Sequence, residues 1–312
     1  MGAKKKEMMA QILEQLINGL VLGGIYALIA VGYTMVYGII QLINFAHGEI
    51  YMFGAYIALM FILMGVPFWI AVPLSMILCA ILGMLIDFVA YRPLRNAPRL
   101  SALITAIGIS LALQNLARMI WSARPRQFPS ESLPSFFLSE VTQTGEVINA
   151  ILLPGGGILP FRDVFILLLA VVLMVVLNML IYLTKIGKAM RACAQNAVAA
   201  NLMGIKTNHV IAVTFAIGSA LGAVAGIMVG LSEVVTPTMG YYKGVAAFAA
   251  AVLGGIGSIS GAIFGGIVIG IAEVFGADIH SGYRIAFAYI IMILVILIRP
   301  SGLFGKSTST RA

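Results

Sequence analysis

Long apolar runs dominate the chain, and short polar or basic segments separate them. The apolar runs occupy residues 12–37, 38–64, 67–90, 101–121, 163–184, 208–231, about 242–276 and 284–299. Several of them reach the roughly 20 residues that a helix needs to cross a hydrocarbon layer of about 30 Å. The pattern predicts an all-α, polytopic transmembrane helical bundle in a single domain over residues 1–312, with about eight spans plus broken or re-entrant segments.

Composition supports a membrane protein. Hydrophobic residues make up 61% of the chain and charged residues 10%, whereas soluble domains carry about 25% charged residues. The net charge of +8 comes from lysines and arginines in the polar segments, where they set orientation in the membrane, so it does not indicate nucleic-acid binding. The two cysteines, Cys79 in an apolar run and Cys193 in a basic segment, imply no disulfide framework.

The basic segments predict which loops face the cytoplasm. Segment 91–100 carries three arginines and no acid, segment 185–207 carries four cations and no acid, and the tail 300–312 is basic. Such loops stay inside. We therefore expect 185–207 and 300–312 to be cytoplasmic, and the long, charge-balanced segment 122–162 to be a periplasmic loop.

The first 64 residues do not fit a simple count of spans. Three lysines at positions 4–6 place residues 1–11 in the cytoplasm, and 67–90 must then run inward, so 12–64 makes one net crossing. That segment is too long for one helix, so we predict a broken or re-entrant element at INFAHGE, residues 43–49. The alternative places the lysines outside and has two ordinary helices. By the same reasoning 242–276 is either two short spans or a re-entrant pair.

The predicted break carries polar groups at membrane depth. Asn44, His47, Glu49 and Tyr51 lie within eight residues of each other in an apolar run, and ionisable groups at such depth commonly mark a transport pathway. If the chain breaks near Asn44, that residue caps a half-helix whose free N–H groups attract an anionic ligand group. The alternative is that these side chains hydrogen-bond neighbouring helices and fix the bundle.

Two further carboxylates fall inside apolar runs. Asp87 lies near the cytoplasmic end of its run, where it is expected to pair with Arg92 or Arg95. Glu273 has no obvious partner in the sequence.

Glycines recur every four residues in two apolar runs, which places them on one helix face. Such strips let helix backbones approach closely, as packed transmembrane helices require. The alternative is a sliding surface between helices that shift during a transport cycle. The glycines concerned are Gly218, Gly222, Gly226, Gly230, Gly257, Gly261 and Gly265.

The basic segment contains a predicted cytoplasmic helix. Residues 187–203 are rich in alanine and lack proline, which favours helix, and Gly204 is a plausible C-terminal stop. One interpretation is a solvated connector or a helix resting on anionic lipid. The other, which we favour, is a helix presented to a cytoplasmic partner protein.

Motifs for catalysis or metal binding do not hold up. GLFGKSTS at 302–309 resembles the end of a phosphate-binding loop, but Pro300 stands where that loop needs its first glycine. His47 and Glu49 form a His-x-Glu pair without the cysteines of a zinc site. The sequence predicts neither a catalytic residue nor a metal ligand, and the chain is not expected to be an enzyme.

The segments GLVLGGIYALIAVGYTMVYGIIQLINFAHGEIYMFGAY, AYRPLR, MRACAQNAVAANLMGI, AAVLGGIGSISGAIFGGIVIG and RPSGLFG occur in this order. Together they closely resemble the permease subunit of bacterial branched-chain amino-acid ABC transporters, over nearly the whole chain. The resemblance implies a multi-pass inner-membrane protein that pairs with a second, homologous permease. It also implies two cytoplasmic ATP-binding subunits that use ATP and Mg, while this chain binds no cofactor, and a soluble periplasmic or extracellular amino-acid-binding protein.

The resemblance assigns 187–205 as the segment that docks on the ATPase and couples it to transport. The candidate coupling residues are Lys188, Arg191, Gln195, Asn196, Ala200 and Gly204. Relatives often carry acids where this chain has Gln195 and Asn196, so a salt bridge there is not implied. The implied activity is uptake of leucine, isoleucine and valine by alternating access around Asn44–Tyr51. Alternatives are the same machine for urea, amides or another small amino acid, a proton-coupled secondary carrier, and a membrane scaffold.

Overall fold

The computed structural model is a helical bundle, and it describes residues 2–95, 97–138, 140–141, 147–152, 158–299 and 301–305. The helices are α1 (Gly2–Ile40), α2 (His47–Leu63), α3 (Phe68–Ile86), α4 (Arg92–Leu94), α5 (Arg99–Trp121), α6 (Phe161–Leu183), α7 (Lys185–Gln195), α8 (Ala197–Leu202), α9 (Thr207–Ser232), α10 (Met239–Gly254), α11 (Ile259–Ile279) and α12 (Arg284–Ile298). A π-helical turn, Asp87–Tyr91, joins α3 to α4.

Six of these helices, α1, α3 with its extension to Leu94, α5, α6, α9 and α11, are long and apolar enough to cross a membrane within the described part of the chain. Shorter apolar helices, including α2 and α12, complete the bundle. The predicted all-α, polytopic membrane architecture is confirmed.

Small residues decide which helices lie in the centre. In the most apolar stretch of α1, 94% of the residues are buried inside the bundle. In the corresponding stretch of α6, only 22% are buried. Glycine and alanine on α1, α9 and α11 let backbones meet, whereas the leucine- and valine-rich α6 presents branched side chains outward. Since lipid is as apolar as leucine, close backbone contact rather than hydrophobicity orders the interior.

The glycine strip of α9 lies against α2. A Cβ added at Gly218 or Gly222 would come within 3.6 to 3.7 Å of the His47 ring, and one at Gly226 would collide with the carbonyl of Tyr51. Gly230 is covered by the Phe128 ring. These contacts agree with the packing interpretation of the strip.

The second strip is divided. Gly261 and Gly265 face the backbone of α10, at Gly254 and Ala250. Gly257 does not belong with them, because it lies before α11 with φ +100°, and its added Cβ would meet open space among the described residues. The four-residue spacing was therefore misleading there, since the helix begins only at Ile259.

Gly226→Ala is expected to lower stability by about 1–3 kcal/mol, the usual range for overpacking, because its methyl group has no room beside Tyr51. Gly108→Ala is the matched control: no described atom lies within 4 Å of its added Cβ, and alanine is the better helix former. The thermal unfolding midpoint of the purified protein in detergent measures both. Equal midpoints for the two variants would contradict the packing role of Gly226.

The predicted break near INFAHGE is present. Helix α1 ends at Ile40, Gln41 adopts a positive φ of 53°, and α2 begins at His47. The His47 ring lies beside Gly32, well inside α1, so α2 starts within the bundle. The predicted cap is wrong: the residue before the helix is Ala46, and the Asn44 side chain does not cap it.

The last turns of α1, and not its start, lie beside α7. Residues Thr34 to Ile39 of α1 border the same cleft as Met190 and Arg191 of α7. Because α1 has 39 residues and is about 58 Å long, its start lies at the opposite end of the bundle. This arrangement agrees with the alternative, which places the lysines outside, and the side of the membrane that each end faces stays a prediction.

Segment 242–276 contains two antiparallel helices, α10 and α11. Gly254 of α10 meets Gly261 of α11, and Ala250 meets Gly265. With 16 residues, α10 is about 24 Å long. Within the described residues, α11 is long and apolar enough to cross a membrane, whereas α10 is shorter than the roughly 30 Å hydrocarbon layer. The choice between two short spans and a re-entrant pair stays a prediction.

Arg126, in the described part of segment 122–162, pairs with Val235 just beyond α9, whereas tail residues 301–305 lie at the end of α10. Two-stranded antiparallel pairs form from β1 (Glu140–Val141) with β2 (Val147–Ile148) and from β3 (Ala150–Leu152) with β4 (Ile158–Pro160). In the tail, the N–H groups of Leu303 and Phe304 donate to carbonyls at the end of α10. The rejected phosphate-loop segment extends past 305, outside the described residues.

Candidate functional site

The segment before α2 is a buried polar turn. Asn44 Oδ1 accepts a hydrogen bond from the Tyr91 hydroxyl at 3.0 Å, while its Nδ2 has no partner among the described residues. The His47 ring packs against Gly32 and edge-on to Tyr33 at a centroid distance of 4.9 Å. Its Nε2 is likewise unpartnered within the described part of the chain. Burying a polar atom without a hydrogen-bond partner costs free energy.

Glu49 lies at the junction of α2, α5 and α10, fully buried. Its Oε1 accepts hydrogen bonds from Ser110 Oγ at 2.9 Å and Gln114 Nε2 at 2.8 Å. Its Oε2 faces Gly240 and has no hydrogen-bond donor among the residues described. A carboxyl group held only by neutral groups in the bundle interior is costly, which is typical of a functional position.

Glu49 and His47 point to different helices, as their spacing predicts, and they form no direct pair. Tyr51 is one turn further along α2, fully buried, and its hydroxyl has no partner in the described ranges. The four predicted pathway residues thus occur together in the interior, on the break and the first turns of α2. Ser110 and Gln114 were missed because they are ordinary polar residues in a separate apolar run.

A second polar centre, an ionic network, joins five helices or their ends. Glu273 accepts hydrogen bonds from the Tyr26 hydroxyl and from Arg284 Nε at 2.7 Å. Glu233 Oε1 lies 3.1 Å from Lys243 Nζ and 2.9 Å from Arg284. The network holds two acids and two bases, so its formal charge is zero.

Most of this ionic network was missed by sequence reasoning, which left Glu273 without a partner. The sequence did contain a signal for the network: Lys243 is a lone cation in an apolar helix, so a nearby acidic partner was to be expected. Glu233, an acid just beyond the end of α9, was a second such signal in the sequence. Although burial raises the pKa of Glu233, the ammonium of Lys243 and the guanidinium of Arg284 outweigh it and lower the pKa below its usual value.

The predicted pairing of Asp87 is confirmed for one of its two candidates. Arg95 Nη2 lies 2.7 Å from Asp87 Oδ1, and Arg95 also donates to Asn208. This pair connects the loop after α3 to the start of α9, so it fixes two helix ends at one membrane face.

The predicted cytoplasmic helix is two helices. Asn196 ends α7 in an extended conformation, and its Oδ1 accepts from the N–H of Ala199 at 2.9 Å, capping α8. A continuous helix over 187–203 was therefore the wrong prediction, because an asparagine cap competes with helix continuation. Gly204, with φ +85°, ends α8 as predicted.

The two helices divide the predicted coupling residues. Lys188, Gln195 and Asn196 are exposed, whereas Arg191 donates to the carbonyl of Ile181 at 3.1 Å and stacks on Tyr182. Ala200 is only 5% exposed and packs inward.

Three large apolar side chains on α8 and its end face outward: Val198 is 72% exposed, and Leu202 and Met203 are each 83% exposed. We call these three residues the apolar knob. Cys193 of α7 is buried, and the break at Asn196 separates it from the apolar knob. Exposed apolar side chains on a helix flanked by basic residues are typical of a docking surface.

The comparisons identify the family. The family described as branched-chain amino acid transport system / permease component matches residues 15–298. The chain belongs to this family. The high-affinity branched-chain amino acid transport system permease protein BraD of Pseudomonas aeruginosa is 43% identical, covering 94% of this chain and 96% of its own. LivH of Escherichia coli, described in the same words, is 41% identical over 96% and 97%.

LivM of Escherichia coli, another permease protein of that system, is 24% identical over 89% of this chain and 67% of its own length. One organism thus contains two proteins of this type that are similar to this permease. Members of the family are transport components rather than enzymes, and this permease is a multi-pass membrane protein.

Proposed function

We propose that this chain is one of two permease subunits of an ATP-driven importer that carries leucine, isoleucine and valine across the bacterial inner membrane. The observation that carries the proposal is the apolar knob, because a membrane component needs such a surface to receive movement from another subunit. One of two cytoplasmic ATP-binding subunits, which use ATP and Mg, would dock there, and the other would dock on the second permease. A soluble binding protein would deliver the amino acid from outside.

A second permease subunit follows from the relatives. LivH and LivM of Escherichia coli are both similar to this chain, and LivH far more so. We therefore infer that this permease occupies the LivH-like position in a heterodimer with a LivM-like subunit. Lipid surrounds the remaining apolar faces.

The test is uptake by reconstituted vesicles. Vesicles that contain all four kinds of component and ATP are expected to accumulate leucine, while vesicles with this permease alone are not, even under a proton gradient. Accumulation by the permease alone would identify a proton-coupled carrier. Competition by urea or amides stronger than by isoleucine and valine would overturn the proposed substrate class.

We propose that the interior turn around Asn44, His47, Glu49 and Tyr51 borders the transport pathway. Glu49→Gln is expected to lower the uptake rate about tenfold, or about 1.4 kcal/mol of barrier, with normal membrane abundance. The amide oxygen of glutamine retains an acceptor for Ser110 and Gln114, so folding is preserved. Initial uptake rates and immunoblots of membranes measure the two quantities.

The control for this experiment is Glu131→Gln, the same change on an exposed residue of the 122–162 loop. It should leave both quantities unchanged. If Glu49→Gln lowers abundance and uptake in the same proportion, the polar turn serves only to hold the bundle together.

We also propose that the start of α1 is periplasmic and that α8 is cytoplasmic. A cysteine at Met8 is expected to react with a membrane-impermeant maleimide in intact spheroplasts, and a cysteine at Met203 only after lysis; both positions are exposed. The unmodified chain is the control, since Cys79 and Cys193 are buried and burial raises the pKa of the Cys193 thiol. Labelling of Met203→Cys in intact spheroplasts would refute the proposed coupling role.

A further inference from the structure

Helix α5 has a buried face and an outer face on opposite sides. The buried face includes Ser110 and Gln114, which hold the Glu49 carboxylate. Because α5 is long and apolar enough to cross a membrane, its outer face lies at membrane depth, where lipid or another membrane protein covers it. This surface, called the α5 outer face, consists of the exposed residues Ile104, Gly108, Leu111, Ala112, Asn115, Arg118 and Met119.

Two polar side chains on the α5 outer face are poorly suited to lipid. Asn115 Nδ2 donates to the Leu111 carbonyl of its own helix at 2.8 Å, and its Oδ1 accepts from Arg118 Nη1 at 3.2 Å. Both side chains are exposed, and Arg118 forms no ion pair with a carboxylate in the described part of the chain. An amide and a guanidinium in contact with hydrocarbon are costly.

Arg118 does not extend toward the near end of α5, which is at Trp121. A long cationic side chain close to a helix end usually reaches for the membrane surface. Here the guanidinium turns back along the helix to Asn115, about one turn further from that end. A positive charge is thus held over the apolar part of the face, where a protein partner with acceptor groups stabilises it and lipid tails do not.

Gly108 is an independent observation on the same face. Of the helical glycines between residues 19 and 276 that the structure describes, it is the one whose added Cβ would meet no described atom within 4 Å. Three other glycines in open space, Gly65, Gly204 and Gly257, have a positive φ that accounts for them. Since glycine is a poorer helix former than alanine, close approach of a helix from another chain explains its presence.

We propose that the α5 outer face packs against the second permease subunit, an inference that rests on the proposed function. A soluble subunit does not reach a face at membrane depth, and lipid offers no partner to Asn115 or Arg118. Related subunits commonly pair through the same surface about a twofold axis, so the helix over Gly108 is the partner's counterpart of α5. It has small residues at the crossing point and presents an oxygen acceptor to Arg118.

This contact has a consequence for the interior polar turn. Ser110 Oγ and Gln114 Nε2 donate to Glu49 Oε1 at 2.9 and 2.8 Å from the buried face of α5. The partner subunit rests on the reverse side of the same helix. A shift between the two permeases therefore displaces both donors, and movement of one subunit reaches the proposed pathway of the other.

Photo-crosslinking in the complete transporter tests the contact. Benzoylphenylalanine in place of Leu111, which is 54% exposed on the α5 outer face, is expected to form an adduct with the second permease. The same group in place of Val175, 48% exposed on α6, is the control and should label lipid. The inference is wrong if the group at position 111 labels lipid alone or a second copy of this chain, or if only the control labels the second permease.

Gly108→Phe is expected to reduce the amount of second permease that co-purifies with this chain at least about tenfold, because the ring fills the space of the partner helix. Val176→Phe, which places the same ring on the exposed side of α6, is the matched control and should leave co-purification unchanged. The thermal unfolding midpoint of this permease purified alone should stay the same in both variants, since an added Cβ at Gly108 meets no described neighbour. This measurement separates loss of the contact from loss of folding.

Asn115→Leu distinguishes a protein partner from lipid. If lipid covered the face, leucine would be the better residue there and assembly would be unaffected. Against a partner, loss of the amide that holds Arg118 is expected to lower co-purification several-fold, which keeps the test decisive if Gly108→Phe does not fold.

Normal co-purification by Gly108→Phe and Asn115→Leu would overturn the inference, while leucine import by the unmodified transporter would leave the proposed function standing. If no second permease co-purifies with the unmodified chain, the proposed heterodimer fails and the inference fails with it.

Discussion

Leu202→Asp is expected to lower leucine uptake at least about tenfold without changing membrane abundance. Leu202 is 83% exposed at the tip of the apolar knob, so the folded permease loses little when it is replaced. In the assembled transporter this side chain would enter a pocket on the ATPase, where loss of an apolar anchor costs about 2 kcal/mol or more. Uptake by vesicles and ATP hydrolysis by the same preparation measure the effect.

The matched control is Asn201→Asp, which adds the same charge at the neighbouring exposed position of α8 but removes no apolar contact. It should retain most of the uptake. If both variants lose uptake equally, charge alone disturbs this face and the knob is not an anchor. If Leu202→Asp transports normally, docking at α8 is wrong.

Ala200 and Gly204 are poorer probes of the same surface, although the sequence singled them out. Ala200 is buried, so a bulky charged residue there would disturb the packing of α8. Gly204 has a positive φ that side chains rarely adopt. Loss of uptake in either variant would report on folding rather than on docking.

Glu273→Gln is expected to destabilise the permease by about 1–3 kcal/mol, less than the loss of a partner from a fully buried ion pair, because the Arg284 side chain is 41% exposed and both cations keep Glu233 as a partner. Glu273 accepts from Arg284 at 2.7 Å and lies 3.8 Å from Lys243 Nζ. Without it, two cations share the single carboxylate of Glu233, and the ionic network gains a net positive charge in the bundle. The thermal unfolding midpoint in detergent measures the loss.

Two comparisons make this measurement specific. Glu131→Gln on the exposed loop should leave the midpoint unchanged. Adding Arg284→Gln to Glu273→Gln restores charge balance, so the double variant should be less destabilised than the two single effects add up to. Strict additivity would show that the two residues do not act as a pair.

Local sequence signals predicted the break before α2 and the Asp87–Arg95 pair. In the first, polar residues interrupt an apolar run, and irregular backbone at membrane depth is tolerated only inside protein. In the second, the partners are eight residues apart. The sequence also contained a signal for the division between α7 and α8, because asparagine is a good N-cap and stands at position 196. The alanine-rich composition around it nevertheless led to the prediction of one continuous helix.

Contacts between distant segments could not be predicted in this way. Ser110 and Gln114 reach Glu49 across more than 60 residues of chain, and Arg284, Glu273 and Tyr26 meet from three different helices. Any polar residue in an apolar run was an equally good candidate partner. The direction of α1 was uncertain because two orientation signals conflicted. The three lysines at its start favoured a cytoplasmic start, whereas the basic loops elsewhere also had to be cytoplasmic.

By itself the sequence determined that lipid is the solvent of this protein, that its backbone is helical, and where basic loops and interruptions lie. Those properties follow from transfer free energies and helix geometry, which act residue by residue and over short separations. Only the tertiary structure decided which polar groups meet, which glycines carry contacts, and that a cleft opens beside α7. These depend on the rotation and depth of each helix against its neighbours, which close backbone packing fixes and no single segment encodes.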